Sequence, residues 1–280
     1  MKTKITVICE NSVYMTSALI GEHGLSFLIE NEDATLFDTG QGLGLMNNLK
    51  VLGKDSSIIK RVVLSHGHYD HTGGLLDFLK THEGNIPVYL HPDAFNSRYS
   101  QTTDEGITTE KAIGIRHERI EYEKEGANFH FINGYIPITG SISALCEVSR
   151  DFNWKSQDAR LKQKVNDKII DDPFMDDLSL LITTDSGPVV LLGCAHAGIV
   201  EILNDISKRS GYREFHAVIG GTHLANAAEE YVKEAIAALK KYNVKKIGLS
   251  HCTGFKIACR FASEFQDKFF NASVGAVIEF

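Results

Sequence analysis

The chain has no C-x-x-C pair, no long apolar run, no excess of basic residues, and no repeated or low-complexity tract. Each absence removes a class of protein. The 5 cysteines, Cys9, Cys146, Cys194, Cys252 and Cys259, are odd in number and dispersed, which argues against a disulfide framework and for a reducing compartment. No stretch approaches the ~18 consecutive apolar residues that a membrane helix requires. The first apolar stretch, Ile5 to Cys9, is too brief for the core of a secretory signal, so a cytoplasmic protein is expected. With 29 Lys+Arg against 36 Asp+Glu, the formal net charge of −7 speaks against general affinity for nucleic acid or anionic lipid. What is left is an ordinary folded chain. Its 280 residues, 43% hydrophobic and 23% charged, can bury a sizeable core without a metal or disulfide as a staple.

The apolar pattern is that of an α/β protein. Ile5, Val7 and Cys9 alternate, and Leu25 to Ile29 and Ala34 to Phe37 flank the turn-prone Asn31-Glu32-Asp33 as a hairpin. The second of these strands runs into Asp38-Thr39-Gly40, and a helix follows through Met46 and Leu49. Ile58 to Leu64 reads as a strand ending at Ser65, with a polar loop, a helix over Leu75 to Leu79 and a short strand over Pro87 to Leu90 after it. This order places chemistry at a strand's C-terminal end. From about 92 to 177 the chain turns polar and carries its only tryptophan, Trp154. An insertion within a single domain is predicted there, roofing a cleft or building a contact between two copies of the chain. Strands resume at Leu178 to Ile182 and Val189 to Leu192, around the turn Asp185-Ser186-Gly187-Pro188. A helix is predicted over about 226–242, and a strand over Val244 to Leu249 leads into Ser250-His251-Cys252-Thr253-Gly254. A further helix places Ile257, Phe261, Phe265 and Phe269 on one face as core, and Val274 to Ile278 closes as a strand.

The segment His66-x-His68-x-Asp70-His71 carries the chemistry. Chance would produce it in on the order of one in a thousand such chains. In a loop, the alternate side chains His66 and His68 can point the same way and share one metal. Asp70 and His71, turning into the next helix, can face a second. Imidazole and carboxylate together suit Zn, Fe or Mn. Gly67 leaves the loop free to turn, and the helix start after it offers a positive dipole end to an anionic substrate. Gly40-Gln41-Gly42-Leu43-Gly44 lacks the third glycine of a dinucleotide motif, since position 45 is Leu45, and is read as a turn.

These residues resemble the metallo-β-lactamase superfamily. Asp38 in Phe37-Asp38-Thr39-Gly40 matches its early acidic residue, and His66, His68, Asp70 and His71 match its central motif residue by residue. His196, in Gly193-Cys194-Ala195-His196-Ala197-Gly198, and His251 match the later ligands in kind and order. The wording around Cys194 and Cys252 is similar to a branch described as methanopterin-precursor-synthase-like, a description that assigns no activity. The resemblance covers the chain apart from the insertion. It implies an αββα sandwich, two mixed sheets face to face with helices outside and a metal cleft along one edge. It also implies two divalent ions, Zn foremost and Mn or Fe as alternatives, held by His66, His68, Asp70, His71, His196 and His251. One departure stands out. The family usually places a third histidine before a strand and a bridging aspartate after it. Here the segment before Leu178 offers only Asp176 and Asp177, while Cys194 and His196 follow the strand.

That departure leaves alternatives. His196 either replaces the third histidine from a new position or takes the bridging role. Cys194 is either a soft ligand or a small buried hydrophobe. Asp38 is read as a carboxylate accepting a ligand histidine's N–H, with a turn or cap role as the alternative. His223, after the apolar run Ala217 to Ile219 and two glycines, either donates a hydrogen bond to substrate or is an ordinary loop histidine. His23, His82, His91, His117, His130 and His216 lack ligand spacing and are read as ordinary. Two ions about 3.5–4 Å apart would hold a hydroxide nucleophile, with Asp70 orienting it and His223 steadying the developing oxyanion. The expected protein is a metal-dependent hydrolase of a small anionic substrate, a phosphoester or phosphodiester. The alternatives are an iron-dependent oxidoreductase of the sulfur dioxygenase kind, a lactone or thioester hydrolase, and a non-catalytic binder on the same fold.

Overall fold

The computed structural model describes residues 2–14, 18–152 and 154–280. The chain opens with β1 (Lys4–Cys9), β2 (Ser26–Glu30) and β3 (Ala34–Phe37), then α1 (Leu45–Val51), β4 (Ile59–Val63), α2 (Tyr69–Thr72), α3 (Leu75–Thr81) and β5 (Ile86–Leu90). The middle contains β6 (Arg98–Asp104), β7 (Ile107–Ala112), α4 (Arg119–Lys124), β8 (Ala127–Phe131), β9 (Tyr135–Pro137), β10 (Ile142–Leu145), β11 (Leu161–Val165) and β12 (Lys168–Asp171). The last part runs β13 (Ser179–Thr184), β14 (Gly187–Leu192), α5 (Ile199–Ser210), β15 (Ala217–Gly221), α6 (Glu229–Lys241), β16 (Lys246–Ser250), α7 (Phe255–Phe265), β17 (Phe269–Asn271) and β18 (Val277–Glu279).

Two 7-stranded sheets result, in the orders β18-β1-β2-β3-β4-β5-β8 and β17-β16-β15-β14-β13-β10-β9. Both are mixed: β3, β4, β5 and β8 run parallel, as do β14 to β17, and the remaining pairs are antiparallel. Alternation along each strand explains the layers. On β2, Phe27 and Ile29 point into a core shared by both sheets, while Leu28 packs against the helix side. On β14, Val189 and Leu191 point into the shared core, and Val190 and Leu192 face helices α5 to α7. Strands buried on both faces read as continuous apolar runs, as these do. The architecture is the expected αββα sandwich. Among the described residues, no helix is long and apolar enough to cross a membrane.

The stretch expected as an insertion at about 92–177 is divided. Its residues 119–145 belong to the sandwich, because β8 pairs with β5 and β9 and β10 extend the second sheet. Only the hairpins β6–β7 and β11–β12 stand apart, paired with each other as a 4-stranded sheet. Ile113, Leu161 and Phe174 form a small core beneath it, packed against Tyr69 and Trp154. Phe269 begins β17 and does not continue α7, whose buried face is Ile257, Phe261 and Phe265. The sequence reading has no element at α5, although Ile199, Ile202, Leu203 and Ile206 have helical spacing and are all buried.

Candidate metal centre

The loop from Ser65 to His68 leaves the end of β4 and enters α2 at Tyr69. It is gripped from the side of the small sheet. Gly67 donates its N–H to Asp176 Oδ2 at 2.9 Å, and a Cβ at Gly67 would lie 1.9 Å from the Ala94 carbonyl oxygen. Only glycine fits so close an approach. Asp176 is held by Arg98, whose fully buried guanidinium also bonds Asp172, both at 2.7 Å. Burial works against the Arg98 charge, but the two carboxylates outweigh it and raise its pKa.

From the opposite side, Asp38 closes β3 with φ at 60°, a left-handed conformation rare for a residue with a side chain. Its Oδ1 accepts the Ser65 N–H at 2.6 Å, and its Oδ2 accepts the Ser65 hydroxyl and the His71 Nδ1–H, both at 2.7 Å. With Nδ1 so occupied, His71 presents Nε2 away from Asp38, 3.1 Å from Cys194 Sγ. Burial lowers the His71 pKa, but Asp38 beside it wins and lifts it to about 9, so a metal binding at Nε2 would displace a proton from it. His251 is fixed in the same manner. Its N–H donates to Glu10 Oε1 at 2.7 Å and its Nδ1 lies 2.8 Å from Asn11 Oδ1, which aims Nε2 at Asp70.

Two donor sets emerge from the candidate ligands, flanked by Cys194–His223–Cys252 and His23–Asp70–His251 groups whose donor atoms also lie within 4.8 Å of one another. The ligand atoms of His66, His68 and His196 lie within 4.8 Å of one another, with His66 Nε2 and His68 Nδ1 3.0 Å apart. Asp70 Oδ2 stands 3.9 Å from His71 Nε2 and 3.3 Å from His251 Nε2. Cys194 Sγ adjoins both sets, within 4.8 Å of donors on His66 and His71. Among the described residues, His68 Nε2, His251 Nε2 and both nitrogens of His196 are buried without a hydrogen-bond partner. Burial and the neighbouring imidazoles hold His66 and His196 neutral, and burial holds His68 neutral, as metal ligation requires. Burial would raise the Asp70 pKa, but the nearby imidazoles of His251, His71 and His68 outweigh it and hold Asp70 as a carboxylate. Ligands of a tetrahedral zinc ion stand roughly 3.3–3.8 Å apart, a spacing bracketed by the 3.0–3.9 Å observed. The donor set fits divalent metal.

The structure brings His66, His68, Asp70, His71, Cys194, His196, His223 and His251 together, with Asp38 behind His71. His196 stands beside His66 and His68, in the place of the third imidazole. Asp176 and Asp177 take no part as donors: Asp176 grips Gly67 and Asp177 accepts the Ala197 N–H at 2.9 Å. His223, with φ at 50°, packs on His196 with ring centroids 4.3 Å apart, and its Nε2 lies 3.6 Å from Asp158 Oδ2. Burial disfavours the charged imidazole, but Asp158 and Cys252 outweigh it and raise His223 to about 9. His23 corrects the sequence reading. It had no ligand spacing to mark it, yet its Nε2 lies 3.3 Å from Asp70 Oδ2 and its ring 5.0 Å from that of His251. Phe174 was also unmarked. It stacks on His196 with centroids 4.2 Å apart and walls the site from the small sheet.

This fold and donor set define a metallo-β-lactamase-type, metal-dependent hydrolase scaffold. Residues 19–214 match the model of the metallo-β-lactamase superfamily, and the chain belongs to that superfamily. It is 33% identical to the 7,8-dihydropterin-6-methyl-4-(β-D-ribofuranosyl)-aminobenzene-5'-phosphate synthase of Methanocaldococcus jannaschii, over 99% of this chain and 96% of that protein. The crystal structure of Tm1679, a metal-dependent hydrolase of the β-lactamase superfamily, superposes with a TM-score of 0.85 at 29% identity, covering 99% of both chains. The Zn2+-bound PqqB of Methylobacterium extorquens shares the fold, with a TM-score of 0.56 at 10% identity over 98% of this chain and 99% of that one.

Proposed function

We propose that the protein is a metal-dependent hydrolase acting on a phosphoester bond of a small anionic substrate. The observation that carries this reading is the meeting of the His66–His68–His196 set and the Asp70–His71–His251 set at Cys194. His66, His68 and His196 on one side and Asp70, His71 and His251 on the other would hold divalent ions, zinc foremost, which would supply Lewis acidity toward a water and a phosphoryl oxygen. Asp70, kept ionised by its imidazole neighbours, accepts a hydrogen bond from the attacking water and orients it. His223, held charged by Asp158 and seated against His196, donates to an oxygen of the transition state as its charge grows. Phe174 and the small sheet exclude water from the His196 side. Phosphorus is favoured because the 33% identical relative is named for a product bearing a 5'-phosphate.

The test is turnover of bis(4-nitrophenyl) phosphate before and after treatment with a chelator. Loss on chelation, restored by zinc or manganese, is the expected result. Turnover that survives removal of all metal, or preference for a lactone or thioester, overturns it. The same end-to-end relative favours a second reading, a synthase that joins two substrates at this centre. Product analysis separates the two: hydrolysis yields fragments of one substrate, whereas synthesis yields a single larger molecule.

A further inference from the structure

A cavity lined by none of the metal donors opens beside α2. It encloses about 420 Å³ between α2 and the small sheet and is lined by Gln41, Tyr69, Tyr99, Lys111 and Arg116 among others. Two cations crowd one aromatic ring there: Lys111 Nζ is 5.6 Å and Arg116 Cζ 4.9 Å from the centroid of Tyr69. Arg116 Nη1 also donates to the Gln41 carbonyl at 3.4 Å. No aspartate or glutamate lines the cavity, and neither cation forms an ion pair among the described residues. In a chain of net charge −7, an unpaired pair of cations is a local reversal of the background.

Tyr69 is the link between the cavity and the donor-bearing segment. Tyr69 sits in the chain between His68 and Asp70, and it packs on the cluster of Ile113, Leu161 and Phe174, whose Phe174 stacks on His196. We propose that Lys111, Arg116 and Tyr69 form a subsite for a second anionic group of the substrate, a phosphate monoester remote from the bond that is cleaved. An ammonium and a guanidinium together suit a dianion, whereas a lone carboxylate would be satisfied by the guanidinium alone. The volume beyond a single phosphate leaves room for the group that carries it, beside the Tyr69 ring. This inference rests on the hydrolase reading for its role, but the site itself is testable without turnover.

The experiment is calorimetric titration of inorganic phosphate into chelator-treated protein, so that no metal competes for the anion. The wild type is expected to bind at one site, more weakly as ionic strength rises. The double variant Lys111→Ala/Arg116→Ala is expected to bind roughly tenfold more weakly or worse. Lys162→Ala, which removes a cation of the same small sheet that is paired to Asp171, is expected to bind as the wild type does. Thermal melting of each variant checks that the fold is intact, and Lys111→Arg/Arg116→Lys, which keeps both charges, is expected to retain binding. Equal affinity in the wild type and the double alanine variant, or no phosphate binding by the metal-free wild type, overturns the proposal. Failure of phosphodiester turnover would instead sink the hydrolase reading and leave this binding result standing.

Discussion

Asp38 never faces the reacting space, yet three hydrogen bonds from Ser65 and His71 end on its carboxylate. It decides which nitrogen His71 offers. Asp38→Asn keeps the shape but takes away an acceptor, so metal affinity is expected to fall about 10–100-fold with the fold retained. Competition with a chromophoric chelator would measure it, and unchanged affinity would show that Asp38 does not support the metal ligands. Asp177 presents the opposite case. Burial, opposed by the Ala197 N–H, pushes its carboxyl up to about 7, well above its ordinary value of 3.8. The folded protein therefore keeps a proton that the unfolded chain has already released. That stability is fully present below about pH 4 and is lost as pH rises through about 7. Asp177→Asn mimics the protonated acid at every pH. In metal-free protein the variant is expected to gain on the wild type by a few kcal/mol at most between pH 5 and 8, at roughly 1.4 kcal/mol per unit of pKa. Parallel denaturant midpoints across that range would contradict it.

Among the elements, the motif loop and α2 were legible because four donors at fixed spacing mark them in any chain. Their support was not. The grip on Gly67 comes from Arg98, Asp172 and Asp176, residues far apart in sequence whose types occur on any polar surface. Only the fold turns them inward. Arg98→Ala would leave two buried carboxylates without their cation, and a loss of about 3–5 kcal/mol is expected from denaturant unfolding. Metal occupancy should fall with it, since Gly67 lies between His66 and His68. The polarity of 92–177 misled for a related reason. Strand β9 is short and half-exposed, and β10, though buried, has only four residues interrupted by Ser143, so neither forms an apolar run that stands out from the hairpins around it. α5 is different, because its spacing was readable.

At the scale of the molecule, the two sheets deliver donors from both halves of the chain to one edge. β3 and β4 bring Asp38 and the motif loop, β14 brings Cys194 and His196, and β16 brings His251. The order of these residues was visible in the sequence. Their pairing was not, because which histidine joins which set depends on how the sheets are stacked. The stacking puts His196 with His66 and His68, and His251 with Asp70 and His71. His23 escaped notice for the same reason: its loop reaches Asp70 only when β1 and β2 are paired. We propose that these two donor sets are separate and that each holds its own ion. Elemental analysis of purified wild type, His196→Ala and His251→Ala measures it most directly. Two metals per chain in the wild type and one in each variant is the predicted result; a single metal in all three proteins would contradict it.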